Sequence, residues 1–199
     1  MSHQKIAIFY EHPEWFKPLF AELDHRGIAY DRLLAQKHHF DPGRRESPHS
    51  LFVNRMSPSA HTRGHAQTIY YTLQYLAYLD EIGANVLNGY AAYVYEFSKA
   101  RQLSLLAEIG IRYPKARVIN HPSQAYAAAR GLTYPVVVKP NIGGSGAGII
   151  PFEEPGQLRK ASERAEIQLG IDHTALVQEY LPARGDSIVR VEVLNGAFL

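Results

Sequence analysis

The amino-acid sequence predicts an α/β fold in which a small parallel-sheet domain precedes an α+β domain. Three observations lead to this prediction. Short apolar stretches alternate with helical patterns in the first half of the chain, which is typical of a mainly parallel sheet. A β-branched stretch at residues 134–139 runs into a loop of closely spaced glycines. Finally, 46% of the 199 residues are hydrophobic, which is enough for a sizeable core.

The first domain is expected to span residues 1–95, with the boundary between residues 90 and 97. Its elements begin with a buried strand, a helix that Gly27 ends, and a second strand, which together form a strand–helix–strand unit. Ligands of such sheets usually gather at the carboxyl ends of the strands, and Arg55 lies at one of these ends. The predicted strands are 5–10, 28–34, 51–54 and 85–87, and the predicted helices are 14–25 and 65–82.

The second domain is expected to span residues 96–199. Ser98 is a suitable N-cap for its first helix, and Asn195-Gly196 is the preferred two-residue turn of a hairpin. The predicted helices are 98–109, 122–130 and 154–169, and the predicted strands are 115–120, 134–139, a short one near 149, and 175–181.

Composition argues against several classes of protein. The net charge of +2 comes from basic residues scattered among acids, so nucleic acid is not an expected partner. There is no cysteine, which excludes disulfides and thiolate metal sites. No apolar stretch is long enough for a signal peptide or a membrane span, and we expect a soluble cytoplasmic protein.

The most informative segment is the strand, lysine and glycine loop at residues 136–148. Glycine allows backbone N–H groups to approach phosphate oxygens closely, so this loop is a candidate phosphate cradle. A glycine-rich hairpin without a ligand is the alternative interpretation. The order of elements argues against a P-loop, because there the lysine follows the glycines and begins a helix. It also excludes the dinucleotide fingerprint, since these glycines lead into another strand.

Several short motifs occur in the order in which they occur in the ATP-grasp superfamily. The pattern resembles most closely the branch of glutathione synthetase and ribosomal-protein glutamate ligase, and it covers the chain from about Arg55 onwards. The family usually has Asp where Ser98 stands, which changes a helix cap. The motifs are Asn88-Gly89, Ser98-Lys99, residues 110–114, Val138-Lys139-Pro140 with its glycine loop, residues 178–181 and residues 185–190.

The resemblance implies a set of ATP-binding residues in the second domain. Lys99 and Lys139 would contact the α- and β-phosphates as ammonium point charges. A cation in the first turn of a helix is unfavourable by itself, which favours a bound anion near Lys99 over a merely solvated lysine. Asp186 would bind the ribose hydroxyls, although a turn residue is an equal alternative. The remaining implied contacts are Gly143, Gly144, Ser145 and Gly146 around phosphate, and Gln178, Glu179, Tyr180 and Leu181 beside adenine.

Two arginines are candidates for catalysis. Arg55 and Arg190 carry planar, always-charged groups that suit a substrate carboxylate or a transferred phosphate, and surface ion pairs are the alternative. His61 and His65 are four residues apart, but a zinc site is rejected because Pro58 and Gly64 favour a loop there and no third ligand is near. His61 could still contact substrate together with Arg63.

The resemblance implies an ATP-dependent carboxylate–amine ligase that acts through an acylphosphate. The expected partners are ATP, Mg²⁺, a small-molecule or peptide carboxylate and an amine, with a homo-oligomer possible. A regulatory nucleotide-binding module without turnover and a kinase of the same fold are the alternatives.

The end of the chain leads to a further expectation. Only eighteen residues follow Leu181, and the return strand of the last hairpin is three residues long. We therefore expect the chain to stop within an incomplete second ATP-grasp subdomain. Magnesium ligands are expected beyond residue 199, and the 199 residues alone are expected to be inactive.

Overall fold

The structure is a computed structural model that describes residues 5–144, 146–183, 185, 187, 189–194 and 196–198. Its first region is built on a four-stranded parallel sheet with the strand order β2-β1-β3-β4, as the alternating pattern predicts. The elements of this region are β1 (Ile6–Tyr10), α1 (Lys17–His25), β2 (Tyr30–Leu34), β3 (Leu51–Asn54), α2 (Ala66–Glu81), β4 (Val86–Leu87) and α3 (Tyr90–Glu96).

Two clusters of apolar side chains hold this sheet. One face of β1 packs against α1, with Ile8, Phe16 and Phe20 buried together. The other face packs against α2, where Phe9, Phe52 and Tyr75 meet with ring centroids 5.3–5.6 Å apart. The buried tyrosines of α2, Tyr75 and Tyr78, therefore belong to the core of this region.

The second region is built on a four-stranded antiparallel sheet with the order β5-β8-β6-β7. A separate antiparallel hairpin lies near the end of the chain, on either side of the predicted turn. The elements are α4 (Lys99–Glu108), β5 (Ala116–Ile119), α5 (Ala125–Ala128), β6 (Val136–Pro140), β7 (Ile150–Phe152), α6 (Pro155–Glu163), β8 (Ala175–Glu179), β9 (Val193–Leu194) and β10 (Ala197–Phe198).

The two faces of this antiparallel sheet differ. Val136, Val138 and Val177 point into the core that α5 and α6 cover. Side chains alternate along a strand, so Lys139 and Gln178 lie on the opposite face. The register places Val137 opposite Gln178, and Lys139 opposite Leu176. Lys139, predicted to contact phosphate, and Gln178, the first residue of the predicted adenine segment, therefore share one face of the sheet.

Two predicted elements differ from the structure. The segment 90–97, expected as a boundary, contains α3 (Tyr90–Glu96), because Tyr93 is fully buried and its hydroxyl donates to the carbonyl oxygen of Ile69 on α2. The helix expected at 154–169 ends at Glu163. Beyond it, Ala165 adopts a left-handed conformation with φ of 55°, and Ile167 turns into the core. Within the part of the chain that the structure describes, no helix is both long and apolar enough to cross a membrane.

Candidate functional site

Lys99 and Lys139 come from different elements and border one small cavity. Lys99 is the first residue of α4, where the Ser98 hydroxyl caps the helix by accepting from the backbone N–H of Arg101. Lys139 lies near the end of β6, on the face away from the core. The cavity has a volume of about 100 Å³ and is lined by Lys99, Lys139, Pro140, Gly144, Gly146, Ala147 and Ile149.

The two lysines are half-buried cations that have no acidic partner among the residues the structure describes. Lys99 Nζ donates to the carbonyl oxygens of Asn141 at 3.2 Å and Gly143 at 3.3 Å. Among the described residues, Lys139 Nζ makes no hydrogen bond and neither lysine forms an ion pair. Burial lowers the pKa of both lysines, and for Lys139 the charge of Lys99 lowers the pKa further. For Lys99 the charge of Asp172 opposes this shift. An anion in the cavity would relieve the unfavourable burial of both charges.

The glycine loop passes over this cavity at distances that leave little room for side chains. A Cβ atom at Gly148 would lie 2.9 Å from Pro140 Cγ, and its φ of 75° is one that other residues rarely adopt. At Gly144 a Cβ atom would lie 3.3 Å from Ser59 Cβ in the first region. Gly146 also has a positive φ, of 73°. Ser145, predicted as part of the cradle, lies outside the described residues.

The first half of the loop is fixed to the first region. Ile142 is only 1% exposed and belongs to the same core as Phe9 and Phe52. Ser59, the neighbour of Gly144, lies in the 3-10 helix Pro58–Arg63. The predicted phosphate cradle therefore contacts both regions of the molecule.

The predicted adenine segment lies at the end of β8. Gln178 is 8% exposed, and its Oε1 atom is buried without a hydrogen-bond partner. The Glu179 side chain accepts from the backbone N–H of Thr133 at 2.9 Å, and this bond lowers its pKa. The backbone N–H of Tyr180 is already bound to the carbonyl oxygen of Pro135, whereas that of Leu181 has no partner among the described residues.

The other predicted residues are placed separately. Arg55 follows β3 and is exposed, with its guanidinium 5.4 Å from the ring centroid of Phe16. Arg190 is also exposed, and the structure gives it no contact with the lysines among the described residues. Asp186, predicted for ribose, lies outside the described residues.

A buried ionic cluster lies beyond the ends of the parallel strands and was not predicted. Glu11 follows β1 and is 1% exposed, and both of its oxygens accept hydrogen bonds from Arg63. His65 Nδ1 lies 2.5 Å from Glu11 Oε1. Arg63 also donates to the Ser59 hydroxyl at 3.3 Å, which links the cluster to the neighbour of Gly144. Arg63 is thus held by an internal partner, which opposes its predicted contact with substrate.

Sequence reasoning also missed two polar residues beside the lysines, Asn141 and Asp172. Asn141 stands inside the quoted motif, directly after Pro140, and its amide could have been read as a capping group. Its partner Asp172 lies 31 residues further along the chain. No local pattern links the two.

Comparison with solved structures shows the same fold in ATP-grasp proteins. A RimK domain protein of Sphaerobacter thermophilus has a TM-score of 0.66 and 21% identity, over 90% of this chain and 65% of that one. D-alanyl-alanine synthetase A of Vibrio cholerae matches with a TM-score of 0.62 and 15% identity, over 100% of this chain and 65% of that one. D-cycloserine synthetase matches with a TM-score of 0.57 and 18% identity, over 88% of this chain and 59% of that one. This chain therefore spans about 65% of the length of the first two relatives. No curated protein sequence matches it.

The sequence profile of one family matches the second region. This family is described as the RimK-like ATP-grasp domain, and the match covers residues 97–198, more than half of the chain. The resemblance drawn from the order of the motifs is thereby confirmed. The chain belongs to the RimK-like ATP-grasp family.

Proposed function

We propose that the protein containing this chain is an ATP-dependent carboxylate–amine ligase. We also propose that residues 1–95 and 96–199 are its first domain and part of its ATP-grasp domain. The observation that carries the proposal is the pair of half-buried lysines, which face a glycine-walled cavity without an acidic partner among the described residues. Two such cations are stable together when an anion with several charges lies between them, and the triphosphate of ATP is such an anion.

In this proposal the chain's own residues bind and orient the nucleotide. Lys99 and Lys139 hold the α- and β-phosphates, and the N–H groups around Gly143, Gly144 and Gly146 surround their oxygens. The backbone N–H of Leu181 has no partner within the described part of the chain and suits an acceptor nitrogen of adenine, while the N–H of Tyr180 is already bound. The unpartnered amide oxygen of Gln178, on the same sheet face as Lys139, can accept from a donor on the base.

The reaction that such a site serves has two steps. A substrate carboxylate takes the terminal phosphoryl group and becomes an acylphosphate, with ADP as the leaving group. An amine then attacks the acyl carbon, so that an amide forms and phosphate leaves. The exposed guanidinium of Arg55, at the carboxyl end of β3, is our candidate for holding the carboxylate, and Arg190 is our second candidate.

The ligands of Mg²⁺ are not assigned among the described residues. The ion takes several oxygen ligands, usually including one or two carboxylates. The described part of the chain holds no group of three or more His, Asp and Glu side chains arranged for a metal ion. No step of the proposed reaction is therefore assigned to a metal site in these residues.

Substituting Lys139 tests the phosphate site. We expect Lys139→Met to weaken ATP binding by about tenfold to a hundredfold, because a hydrogen bond to a charged group contributes about 1.5–3 kcal/mol. Isothermal titration calorimetry with ATP measures this change. The matched control is Lys160→Met, which removes an exposed lysine from α6 and should leave the affinity unchanged. Equal ATP affinity in Lys139→Met and the wild type would contradict the assignment of Lys139 to the phosphate site.

Turnover by the full-length protein tests the ligase reaction. We expect ADP to form only when both a carboxylate and an amine are supplied, and amide to form in equal amount. ATP binding without turnover across a panel of such substrates would instead indicate a regulatory module. Phosphorylated product formed without any amine would indicate a kinase.

A further inference from the structure

Asn141 ties together three segments around the lysine pair. Its side-chain Oδ1 accepts from the backbone N–H of Ala100 at 2.9 Å and from the hydroxyl of Ser98 at 3.2 Å. Its Nδ2 donates to Asp172 Oδ2 at 2.7 Å. Its backbone N–H donates to the carbonyl oxygen of Thr174 at 3.1 Å. The side chain thus joins the start of α4 to the turn before β8.

The same residue fixes the position of the Lys99 charge. The backbone oxygen of Asn141 accepts from both the backbone N–H of Lys99, at 3.3 Å, and its Nζ atom, at 3.2 Å. Asn141 itself is 6% exposed and directly follows β6, which carries Lys139. A single buried residue therefore connects the two elements that supply the two lysines.

Asp172 determines which way the Asn141 amide faces. A carboxylate accepts hydrogen bonds but donates none, so the amide must turn its NH₂ group towards Asp172. The backbone N–H of Ala100 can only donate, so the amide oxygen must face α4. Asp172 and the Ala100 N–H therefore require the same orientation of the Asn141 amide, and this orientation follows from which groups can donate and which can accept.

We propose that Asn141 and Asp172 are positioning residues that set the spacing of Lys99 and Lys139 before the nucleotide arrives. Holding two like charges near each other requires a rigid scaffold, and a site preset in this way binds phosphate without reorganising. This inference rests on the proposed function, because it names what aligns the same phosphate site. The inference predicts that disrupting the Asn141–Asp172 contact weakens binding of the phosphate groups and leaves binding of the base unchanged.

A pair of reciprocal substitutions tests the proposal on the 199-residue chain. Asn141→Asp puts a second carboxylate against Asp172, so the two side chains repel each other. Combining Asn141→Asp with Asp172→Asn restores one donor opposite one acceptor and keeps the total charge of the wild type. Asp172→Asn alone can still present an oxygen to Asn141 and should behave almost as the wild type. The matched control is Asp80→Asn, which removes an exposed carboxylate at the end of α2.

The first readout is the hydrogen exchange of the Ala100 amide, measured by NMR without nucleotide. This N–H lies in the first turn of α4, where no intrahelical acceptor is available, so its protection comes from Asn141. We expect faster exchange in Asn141→Asp and recovery in the double variant. Unchanged exchange in Asn141→Asp, or no recovery in the double variant, would overturn the proposal.

The second readout compares the affinities for ATP and for adenosine. We expect Asn141→Asp to weaken ATP binding about tenfold, which corresponds to roughly 1.4 kcal/mol, and to leave adenosine binding unchanged. The double variant should recover most of the ATP affinity. Equal losses for both ligands would show a general structural role and contradict the proposal.

The two readouts separate the failure of this proposal from the failure of the proposed function. If the wild type binds no ATP, the proposed function is wrong, while Ala100 exchange still decides whether the positioning pair exists. If Asn141→Asp does not fold, Asp172→Ala removes the acceptor without introducing repulsion and takes its place. Loss of Ala100 protection in that variant supports the proposal, and full protection overturns it.

Discussion

The two regions of the molecule differ in whether their buried or half-buried charges have partners of opposite charge. In the parallel-sheet region, the Glu11 carboxylate is almost fully buried and meets both Arg63 and His65. Burial alone would raise the pKa of Glu11, but the hydrogen bonds from these two partners outweigh it and hold the pKa below its usual value. In the antiparallel region, Lys99 and Lys139 are half-buried and have no acidic partner among the described residues.

This difference separates structural charge from functional charge. A compensated cluster holds the chain together and gains little from a ligand, because its hydrogen bonds are already made. An uncompensated pair is unfavourable in the free protein and becomes favourable when an anion binds. Motifs indicate the second kind of charge, whereas the structure is needed to find the first.

The largest expected effect concerns the compensated cluster. Glu11→Ala should lower the free energy of unfolding by about 3 kcal/mol, the lower end of the range for breaking a buried ion pair, because it leaves the partly buried guanidinium of Arg63 without its carboxylate partner. Urea denaturation measures the change. Glu14→Ala is the control, since it removes an exposed carboxylate paired with Lys17 and should cost less than about 1 kcal/mol. Similar losses in both variants would mean that the two regions do not differ in this way.

A second prediction concerns His38, which the parallel-sheet region keeps neutral. Burial beside Phe9 and Tyr75 lowers the pKa of His38 from 6.5 to about 4, with smaller contributions from His39 and His49. The unfolded chain therefore takes up a proton at higher pH than the folded one, and the free energy of unfolding falls as pH drops from about 6.5 to about 4. We expect a smaller loss than for Glu11→Ala, because the ring is partly exposed.

Denaturation at several pH values checks this expectation. His38→Gln should flatten the dependence between pH 6.5 and pH 5, whereas His39→Gln, at an exposed position, should keep it. Glu11 acts in a lower window: its pKa is lowered from 4.5 in the folded protein, so its contribution is lost only as pH falls below that value. If the free energy of unfolding of His38→Gln depended on pH as steeply as that of the wild type, the attribution of this dependence to His38 would be wrong.

The smallest expected effect has the opposite sign. Removing one of the two uncompensated cations in Lys139→Met should raise the free energy of unfolding of the nucleotide-free chain by about 0.5–1 kcal/mol, as substitutions at strained functional sites often do. Urea denaturation without nucleotide or phosphate measures it. A destabilised Lys139→Met protein would show that Lys139 is structural, and the comparison between the regions would fail.

The sequence predicted the parts of the molecule that depend on local pattern. The alternation of strand and helix indicated the parallel sheet, and Ser98 caps α4 as its residue type suggested. The order of the whole series of short motifs, with Lys99, Lys139 and the glycine loop among them, pointed to the family that the sequence profile confirms, and the structure places the two lysines at one cavity.

The parts that were missed depend on distant partners. Glu11 and His65 are 54 residues apart, and nothing near either residue marks the pair. Asn141 and Asp172 are 31 residues apart, and only the folded turn before β8 brings them together. Helix α3 was missed for a similar reason, because Tyr93 is held by its contact with α2 and carries no strong local signal.

The burial of Ile142 has a consequence for recombining this protein with its relatives. This side chain stands in the glycine loop, yet it fills a space in the core of the parallel-sheet region that also contains Phe9. A chimera joined near residue 95 would separate that space from the side chain that fills it. An exchange of either region of this chain therefore has to keep the side chain at position 142 matched to the core that receives it, and a cut near residue 95 does not ensure this.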